Sequence, residues 1–305
     1  MGIYIRIYMK SNNLVSIIMT CNNGEAFLKE AVKSIINQSY SNWELIFYDN
    51  CSTDKSEKII RDFKDHRIKY FKSNELVNLG TIRKLAYNKC QGFFISFLDV
   101  DDYWSEYKIE KQVEKFEMNK DTDVIYSNYS KIKNHTITKA KFILYRGHCQ
   151  NEIILSYIEG FAMTPWMTLM IKKSAIDKLE YSFDEKTHIT SDFDLIIRLS
   201  TFCNFDYADE YLAYYRLHEN NESKDKQKEI DELVYIINKY QKNKTISSLF
   251  FYKNFAYKLL IKYFIFNKLK SGDIKNFAII KKIKIRLIYI IVKMTPNILL
   301  RIFIK

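Results

Sequence analysis

The chain has 305 residues, of which 47% are hydrophobic and 28% are charged, and it carries a formal net charge of +12. This composition is typical of a globular protein with one large domain and an appendage, and it excludes a disordered chain. Five scattered cysteines without CxxC spacing argue against a disulfide framework or a zinc site and favour a reducing compartment: Cys21, Cys51, Cys90, Cys149 and Cys203. The abundant Lys, Ile and Asn residues indicate an AT-rich bacterial genome.

The positive charge is concentrated at the C-terminal end. Residues 251–305 contain thirteen Lys or Arg residues and one acidic residue, Asp273, so this segment carries +12 and the remainder is neutral. A basic tail of this kind is typical of proteins that contact nucleic acid or an anionic membrane surface. Residues 1–13 show no signal-peptide pattern, because Arg6 and Lys10 interrupt their apolar residues.

The first hundred residues alternate between strand and helix patterns. We predict buried strands over residues 14–19, 44–48, 67–71 and 93–98, with helices over 27–36, around 59–63 and from about 81 to 90. Asn23 is the predicted cap of the first helix, and Ser52 or Asp54 that of the second. The alternation predicts an α/β fold with a Rossmann-like, doubly wound, mostly parallel sheet.

Polar turns follow the first, second and fourth predicted strands, at the edge where open α/β sheets bind ligands. The fourth strand ends in Asp99-Val100-Asp101-Asp102. An Asp-x-Asp pair at this edge can hold a divalent metal together with a diphosphate, although a solvated acidic turn before a helix is the alternative. Asp49 could accept a bond from a nucleotide base, and Asp99 could bind the ribose. The sequence has neither GxGxxG nor a P-loop, so it supports neither a dinucleotide site nor a P-loop site.

Four segments, in order, resemble the family 2 glycosyltransferases: VSIIMTCNNG (15–24), YDNCSTD (48–54), NLG (78–80) and GFFISFLDVDDYW (92–104). The resemblance covers roughly residues 14–223 and implies the A-type glycosyltransferase fold. It also implies inverting transfer of a sugar from a nucleotide-diphosphate sugar, with a UDP-sugar favoured, in cell-surface polysaccharide or glycoconjugate synthesis. The acceptor would be a hydroxyl of a glycan or lipid-linked molecule, and the cofactor Mn²⁺ or Mg²⁺.

The resemblance also assigns roles to residues of the first half. Asp49 would contact the base, Asp99 the ribose or the metal, and Asp101 the metal, while Thr20 and Asn22 would belong to the donor nucleotide site. Two positions depart from the family pattern. Asn50 replaces a second Asp that often follows the position of Asp49, and Arg83 lies in RKLAYNK, where the family often has Ala-Arg-Asn, as a candidate for facing the diphosphate.

The second half should supply the catalytic base. The family places a Glu-Asp pair where this chain has Ser191-Asp192, which makes Asp192 the expected base and Asp194 the second choice. An inverting transfer needs one carboxylate to accept the proton of the acceptor hydroxyl. Capping of the following helix is the alternative role, because carboxylates are favoured at helix N-termini.

Other residues of the second half are expected to bind substrates. Tyr211–His218 resembles the family's Tyr-Arg-x-His segment, and Arg216 and His218 are candidates for holding the diphosphate, with His218 also a candidate for the metal. Trp166, beside Pro165, is either a core residue or an aromatic platform for an acceptor sugar.

We predict a catalytic domain over residues 1–228, with a donor half at 14–104 and an acceptor half at 105–228, followed by a helical, basic extension over 229–305. The apolar stretches 251–266 and 278–293 are interrupted by Lys, so neither has the length of uncharged sequence that a spanning helix needs. An amphipathic helix over 278–293 predicts peripheral attachment to the inner, cytoplasmic face of the plasma membrane. Packing of a helical subdomain on its neighbour is the alternative.

Two other functions remain as alternatives. A nucleotidyltransferase would need a Gly-rich, Lys-bearing loop after the first strand, and residues 20–24 contain one Gly and no Lys. A non-catalytic nucleic-acid binder would show basic residues interleaved with exposed aromatic residues, whereas the aromatic residues of the tail fall at apolar helix positions. We therefore expect no nucleic-acid partner.

Overall fold

The computed structural model describes residues 12–140, 146–148, 165–219, 221 and 225–240. Within this part of the chain, nine strands form one sheet: β1 (Val15–Cys21), β2 (Trp43–Asp49), β3 (Ile68–Lys72), β4 (Phe94–Phe97), β5 (Tyr103–Trp104), β6 (Val124–Lys133), β7 (Thr136–Lys139), β8 (Met170–Lys172) and β9 (Phe205–Arg216). The helices are α1 (Leu28–Ile36), α2 (Ser56–Asp62), α3 (Leu79–Tyr87), α4 (Lys108–Met118), α5 (Lys173–Asp177), α6 (Ser191–Ser200) and α7 (Lys226–Tyr240), together with a 3₁₀ turn at Trp166–Thr168.

The donor half forms the parallel part of the sheet. Its strands lie in the order β3-β2-β1-β4, and every pairing among them is parallel. The chain therefore winds outward in both directions from β1, and the crevice between the carboxyl ends of β1 and β4 is the expected ligand site of such a sheet. The four strands predicted in this half are confirmed, with bounds that shift by one or two residues.

The acceptor half extends the sheet with mixed pairing. β8 is antiparallel to β4 and β6, β9 is parallel to β6, and β5 is antiparallel to β9. Strand β6 continues to Lys133, and the chain then returns as β7. The α/β fold is thus as predicted, and the pairing of β5 with β9 brings the end of β9 beside the Asp99–Asp102 turn.

Alternating strand residues pack on different helix layers. Val15, Ile17 and Met19 belong to a core with α1, α2 and α4, whereas Ile18 belongs to a second core with α3 and α6. Strand β1 is therefore buried on both faces along its whole length, as is typical of parallel sheets.

A buried lysine links the two halves of the sheet. Lys108 at the start of α4 is fully buried, contacts Ser96 Oγ on β4, and lies 3.8 Å from the centroid of the Trp104 ring. Burial lowers the pKa of Lys108 well below its ordinary value. Three successive carbonyl groups, two in the 3₁₀ turn and one directly after it, accept bonds from side chains: Met167 from Trp104 (2.8 Å), Thr168 from Gln112 (2.7 Å) and Leu169 from Lys108 (3.2 Å). These bonds fix the backbone that carries Trp166.

Helix α7 contacts the acceptor half through Glu232, Lys239 and Tyr240, and its Leu233 and Ile236 are buried. The predicted boundary between residues 228 and 229 lies inside this helix. The amphipathic segments predicted over 251–266 and 278–293 lie outside the described residues. Among the helices that are described, none combines the length and hydropathy that a membrane span needs.

Candidate active site

The Asp99–Asp102 turn after β4 meets the end of β9. Asp101 Oδ2 lies 2.9 Å from His218 Nε2 and accepts a 3.3 Å bond from Asn221 Nδ2. The neighbouring Asp102 is buried, and its Oδ1 accepts the Arg216 backbone N–H at 2.9 Å. Burial, and secondarily the charge of Asp101, raise the pKa of Asp102 well above its ordinary value. Asp101 and His218, two of the predicted metal ligands, therefore meet at one point, and Asp102 holds the strand end in place.

This pair fits a divalent cation that also binds phosphate. Mg²⁺ is usually held by one or two carboxylates, substrate phosphates and water rather than by a complete protein cage. Among the residues that the structure describes, no group of three His, Cys, Asp or Glu side chains converges as a closed metal site. Asp99, the other predicted ligand, has its Oδ1 3.4 Å from the Arg83 guanidinium. A metal bound by Asp101 and His218 would need further ligands from phosphate or water, and its binding stays a prediction.

Arg216, predicted to hold the diphosphate, braces the site. Its guanidinium donates to Glu30 on α1 at 2.6 Å and, through Nε, to the Asp101 carbonyl at 2.9 Å. It also lies 4.9 Å from the Phe27 ring centroid. These contacts tie β9 to α1 and to the Asp99–Asp102 turn, so a direct diphosphate contact stays a prediction.

The loops after β1 and β2 are joined by side-chain bonds. Asn23 has a φ of 57°, and its Oδ1 accepts the Thr53 N–H at 2.8 Å. It therefore fastens the second loop instead of capping α1, which begins at Leu28, and the cap prediction for Asn23 is wrong. Asp54 Oδ1 accepts the Ser56 N–H at 2.9 Å, but the N-cap position of α2 is Lys55, so neither Ser52 nor Asp54 occupies it. Asn22, by contrast, is exposed at the mouth of the crevice, where it donates to the Asn50 carbonyl at 2.7 Å.

Asp49 supports these loops from beneath. Its side chain is 0% exposed, and its two carboxylate oxygens accept the Ser52 N–H at 2.7 Å and the Tyr70 hydroxyl at 3.0 Å. Thr20 is likewise buried near the end of β1. Both residues lie at or near the carboxyl ends of their strands, and their contact with a nucleotide stays a prediction.

Arg83 on α3 lies beside the Asp99–Asp102 turn. It is only 4% exposed, and its guanidinium carbon lies 4.2 Å from the centroid of the Trp166 ring. Its Nε has no hydrogen-bond partner within the described part of the chain. A buried cation with unsatisfied donor capacity is suited to an anionic ligand.

Trp166 is a core residue. It is 5% exposed, and its ring centroid lies 3.8 Å from that of Phe97. The ring therefore supports Arg83 and does not offer an open face to a sugar, so the platform interpretation of Trp166 is wrong.

The predicted base, Asp192, lies in the first turn of α6 and is half-buried. Burial raises the pKa of Asp192 above its ordinary value, and the nearby positive charge of Arg83 opposes that rise without cancelling it. Its Oδ1 accepts the Phe193 N–H at 2.7 Å. Asp192 is thus a carboxylate of increased basicity within the electrostatic reach of Arg83.

Asp194, the second choice, is fully buried in a structural ion network. It accepts bonds from Arg198 Nε (2.9 Å), Lys239 (2.6 Å) and the Tyr240 hydroxyl (2.5 Å). An acceptor hydroxyl could not reach it, so this alternative is contradicted.

The segment that precedes Asp192, residues 184–190, is called the base loop below. It packs on the N-terminus of α3, where Leu79 N–H donates to His188 Nδ1 at 3.1 Å and Gly80 N–H donates to the Thr187 carbonyl at 3.0 Å. A Cβ at Gly80 would lie 2.0 Å from the Asp184 carbonyl oxygen, which explains the glycine of the NLG segment. On its other side the loop contacts Glu232, Tyr235 and Lys239 of α7. The sequence indicated Gly80 through the NLG segment. It did not indicate the α7 residues that contact the base loop, because helical periodicity was the only signal in that part of the sequence.

Comparison with known proteins identifies relatives in sequence and in fold. The family model described as glycosyl transferase family 2 matches residues 16–178. An uncharacterized glycosyltransferase of Methanocaldococcus jannaschii is 31% identical over 268 residues, which cover 83% of this chain and 88% of that protein. The Escherichia coli UDP-Glc:alpha-D-GlcNAc-diphosphoundecaprenol beta-1,3-glucosyltransferase WfgD is 30% identical over 173 residues, 57% of this chain and 66% of that one. The crystal structure of S. aureus TarS 1-349 in complex with UDP-GlcNAc matches with a TM-score of 0.65 and 16% identity, covering 87% of this chain and 75% of that one, which shows a shared fold.

Proposed function

The chain belongs to the family 2 glycosyltransferases, and we propose that it is an inverting enzyme that transfers a sugar from a UDP-sugar to a hydroxyl of a glycan or lipid-linked acceptor. Two relatives support the choice of substrates. TarS was crystallised with UDP-GlcNAc, and the name of the E. coli relative specifies a UDP-Glc donor and a diphosphoundecaprenol-linked acceptor. Synthesis of a cell-surface polysaccharide or glycoconjugate is the corresponding process.

The observation that carries this proposal is the position of Arg83. Its guanidinium is 3.4 Å from Asp99 at the donor end of the sheet, and its charge also acts on Asp192 in the acceptor half. One buried cation therefore connects the site where the donor would bind with the carboxylate that would receive a proton. A transfer between two bound substrates requires this adjacency.

In the proposed reaction, Asp192 accepts the proton of the acceptor hydroxyl while that oxygen forms a bond to the anomeric carbon of the sugar. The bond from the anomeric carbon to the phosphate oxygen breaks, and its electron pair leaves with UDP. Attack from the side opposite to the leaving group inverts the anomeric configuration. Arg83 stabilises the negative charge that develops on the diphosphate, because a fixed cation in a water-poor site costs little reorganisation. The raised pKa of Asp192 favours proton acceptance.

A metal and a membrane complete the proposal. Asp101 and His218 would hold Mn²⁺ or Mg²⁺, which when bound would neutralise part of the diphosphate charge. The basic tail would keep the enzyme at the cytoplasmic face of the plasma membrane, where a lipid-linked acceptor is found. Family membership weighs against a nucleotidyltransferase and a nucleic-acid binder, and we propose no nucleic-acid partner.

The test is the Asp192→Asn variant, assayed by UDP release from UDP-glucose and UDP-GlcNAc in the presence of Mn²⁺. We expect kcat to fall by about 10²–10⁴-fold, the usual contribution of a general base. Binding of UDP, measured by calorimetry, should stay unchanged, because Asp192 does not contact the nucleotide in this proposal. Glu180→Gln, which neutralises an exposed carboxylate on the same half, is the control. An Asp192→Asn enzyme within a few-fold of the parent rate would refute the assignment.

A further inference from the structure

A carboxylate from α7 binds the backbone just ahead of α6. Glu232 Oε2 accepts the N–H groups of His188 (3.0 Å) and Thr190 (2.9 Å), and Oε1 accepts the Ile189 N–H at 3.3 Å. The Thr190 hydroxyl also donates to Oε2, at 2.8 Å. Glu232 is itself buried. One side chain thus satisfies three successive amides, although it lies more than forty residues further along the chain.

This contact lies directly ahead of a helix N-terminus. The three amides belong to the two residues before the N-cap of α6 and to the N-cap itself, Thr190, and the positive end of the helix dipole favours a negative charge there. Asp192 lies in the first turn of the same helix, two residues after Thr190. The orientation of its carboxylate therefore depends on the backbone that Glu232 holds.

Two further contacts fix the base loop between elements of both halves. Lys239 of α7 bridges Asp184 at 2.5 Å and Asp194 at 2.6 Å, at opposite ends of the segment that contains Asp192. On the other side His188 accepts the Leu79 N–H of α3, the helix that carries Arg83. The position of α7 is therefore linked through the base loop to Arg83.

We propose that Glu232 is a positioning residue for Asp192 and that α7 is part of the catalytic unit, an inference that rests on the proposed role of Asp192 as the base. Without the Glu232 carboxylate, three amides lose their acceptor and the base loop shifts away from α3. Displacement of a catalytic group by about 1 Å can cost on the order of 10²-fold in rate.

The charge of Glu232 can be followed in the pH–rate profile, which a purely structural role of this residue would leave unchanged. Two charged groups act on Asp192 from the elements packed around it: Arg83 of α3 lowers its pKa, and Glu232 of α7 raises it. A base works in its deprotonated form, so activity rises with pH through its pKa. Removal of the negative charge in Glu232→Gln should therefore lower the pKa of Asp192 and move the acid limb of the pH–rate profile to lower pH.

The experiment compares full-length Glu232→Gln and Glu232→Ala with the matched control Asp231→Asn, an exposed carboxylate one position away on the same helix. With UDP-GlcNAc and UDP-glucose as probes, kcat should fall by about 10²-fold in Glu232→Ala while KM for the donor changes little. Hydrogen exchange of the peptide over residues 186–194 should become faster in both Glu232 variants and stay unchanged in Asp231→Asn. In an Asp192→Asn background, Glu232→Ala should cause little further loss, because the group it positions is already absent.

The outcomes separate this inference from the proposed function. If Asp192→Asn retains the parent rate, the base assignment fails, whatever Glu232 does. If Asp192→Asn is inactive but Glu232→Gln keeps the parent kcat and an unshifted acid limb, the positioning role is overturned. It is also overturned if Glu232→Ala lowers only the fraction of folded protein, with normal turnover in that fraction. Should Glu232→Ala fail to fold, Glu232→Gln decides the question, because it retains the size of the side chain.

Discussion

Replacement of Gly80 by alanine tests whether the base loop is docked on α3. A Cβ at this position would lie 2.0 Å from the Asp184 carbonyl oxygen and 2.8 Å from that of Thr187. Carbon and carbonyl oxygen atoms in contact are normally separated by about 3.3 Å or more. Both obstructing atoms belong to the backbone, so no change of rotamer relieves the clash. The base loop would have to move by about 1 Å.

The expected cost follows from the contacts that such a movement breaks. Two hydrogen bonds join the loop to α3, from Leu79 N–H to His188 and from Gly80 N–H to Thr187. Each contributes about 0.5–1.5 kcal/mol net, and overpacking adds about 1–3 kcal/mol, so we expect a loss of about 2–6 kcal/mol in the free energy of unfolding. Turnover should fall by about 10²-fold in the protein that remains folded, because Asp192 follows the loop.

Urea unfolding followed by circular dichroism measures the first effect, and UDP release per folded molecule measures the second. Gly92→Ala is the matched control, because its Cβ would lie 2.5 Å from the Ser16 backbone nitrogen at the opposite end of β4. This control should also lose stability, but its folded fraction should keep the parent kcat. A Gly80→Ala protein within about 0.5 kcal/mol of the parent, the usual scatter for a neutral substitution, and with normal turnover would show that the loop is not docked as described.

Two further predictions concern the metal and the tail. EDTA should abolish UDP release, and Mn²⁺ should restore it. The Asp101→Ala variant should be inactive even in excess Mn²⁺, because the leaving diphosphate then lacks its countercharge. Full activity of the parent in EDTA would contradict the metal requirement. Ending the chain at residue 250 should prevent co-sedimentation with anionic liposomes. UDP release should persist, because α7 and every proposed catalytic residue are retained. Salt should weaken liposome binding of the full chain without eliminating it, and neutral lipid should bind the full chain less than anionic lipid does. Equal sedimentation of both forms, or a full chain that never pellets, would show that the tail is not an anchor.

The donor half was predictable because its signals are local. Each strand from β1 to β4 is a short run rich in apolar and aromatic residues that is followed by a polar turn, and the helices between them show their own periodicity. Parallel pairing of consecutive strands then follows from general rules of βαβ topology. The convergence of Asp101 and His218 was also expected, although on the family resemblance and not on local pattern.

The acceptor half was less predictable because its elements depend on distant partners. β8 has three residues and pairs with two strands remote in sequence, so no local pattern identifies it. Trp166 could be a core residue or a sugar platform on sequence alone, and the choice was decided by Phe97 and by Arg83, which lies 83 positions earlier. Glu232 carries no sequence signal at all, because any helix surface offers similar acidic residues.

The clamping of the base loop between α3 and α7 bears on how specificity could be exchanged within this family. A recombinant protein that took residues 105–228 from a relative would separate the base loop from Gly80 on one side and from Glu232 and Lys239 on the other. The acceptor half is therefore not a cassette that can be moved alone. A functional chimera would have to take the start of α3, residues 78–80, and α7 from the same parent as the base loop, even though these segments are far apart in the gene.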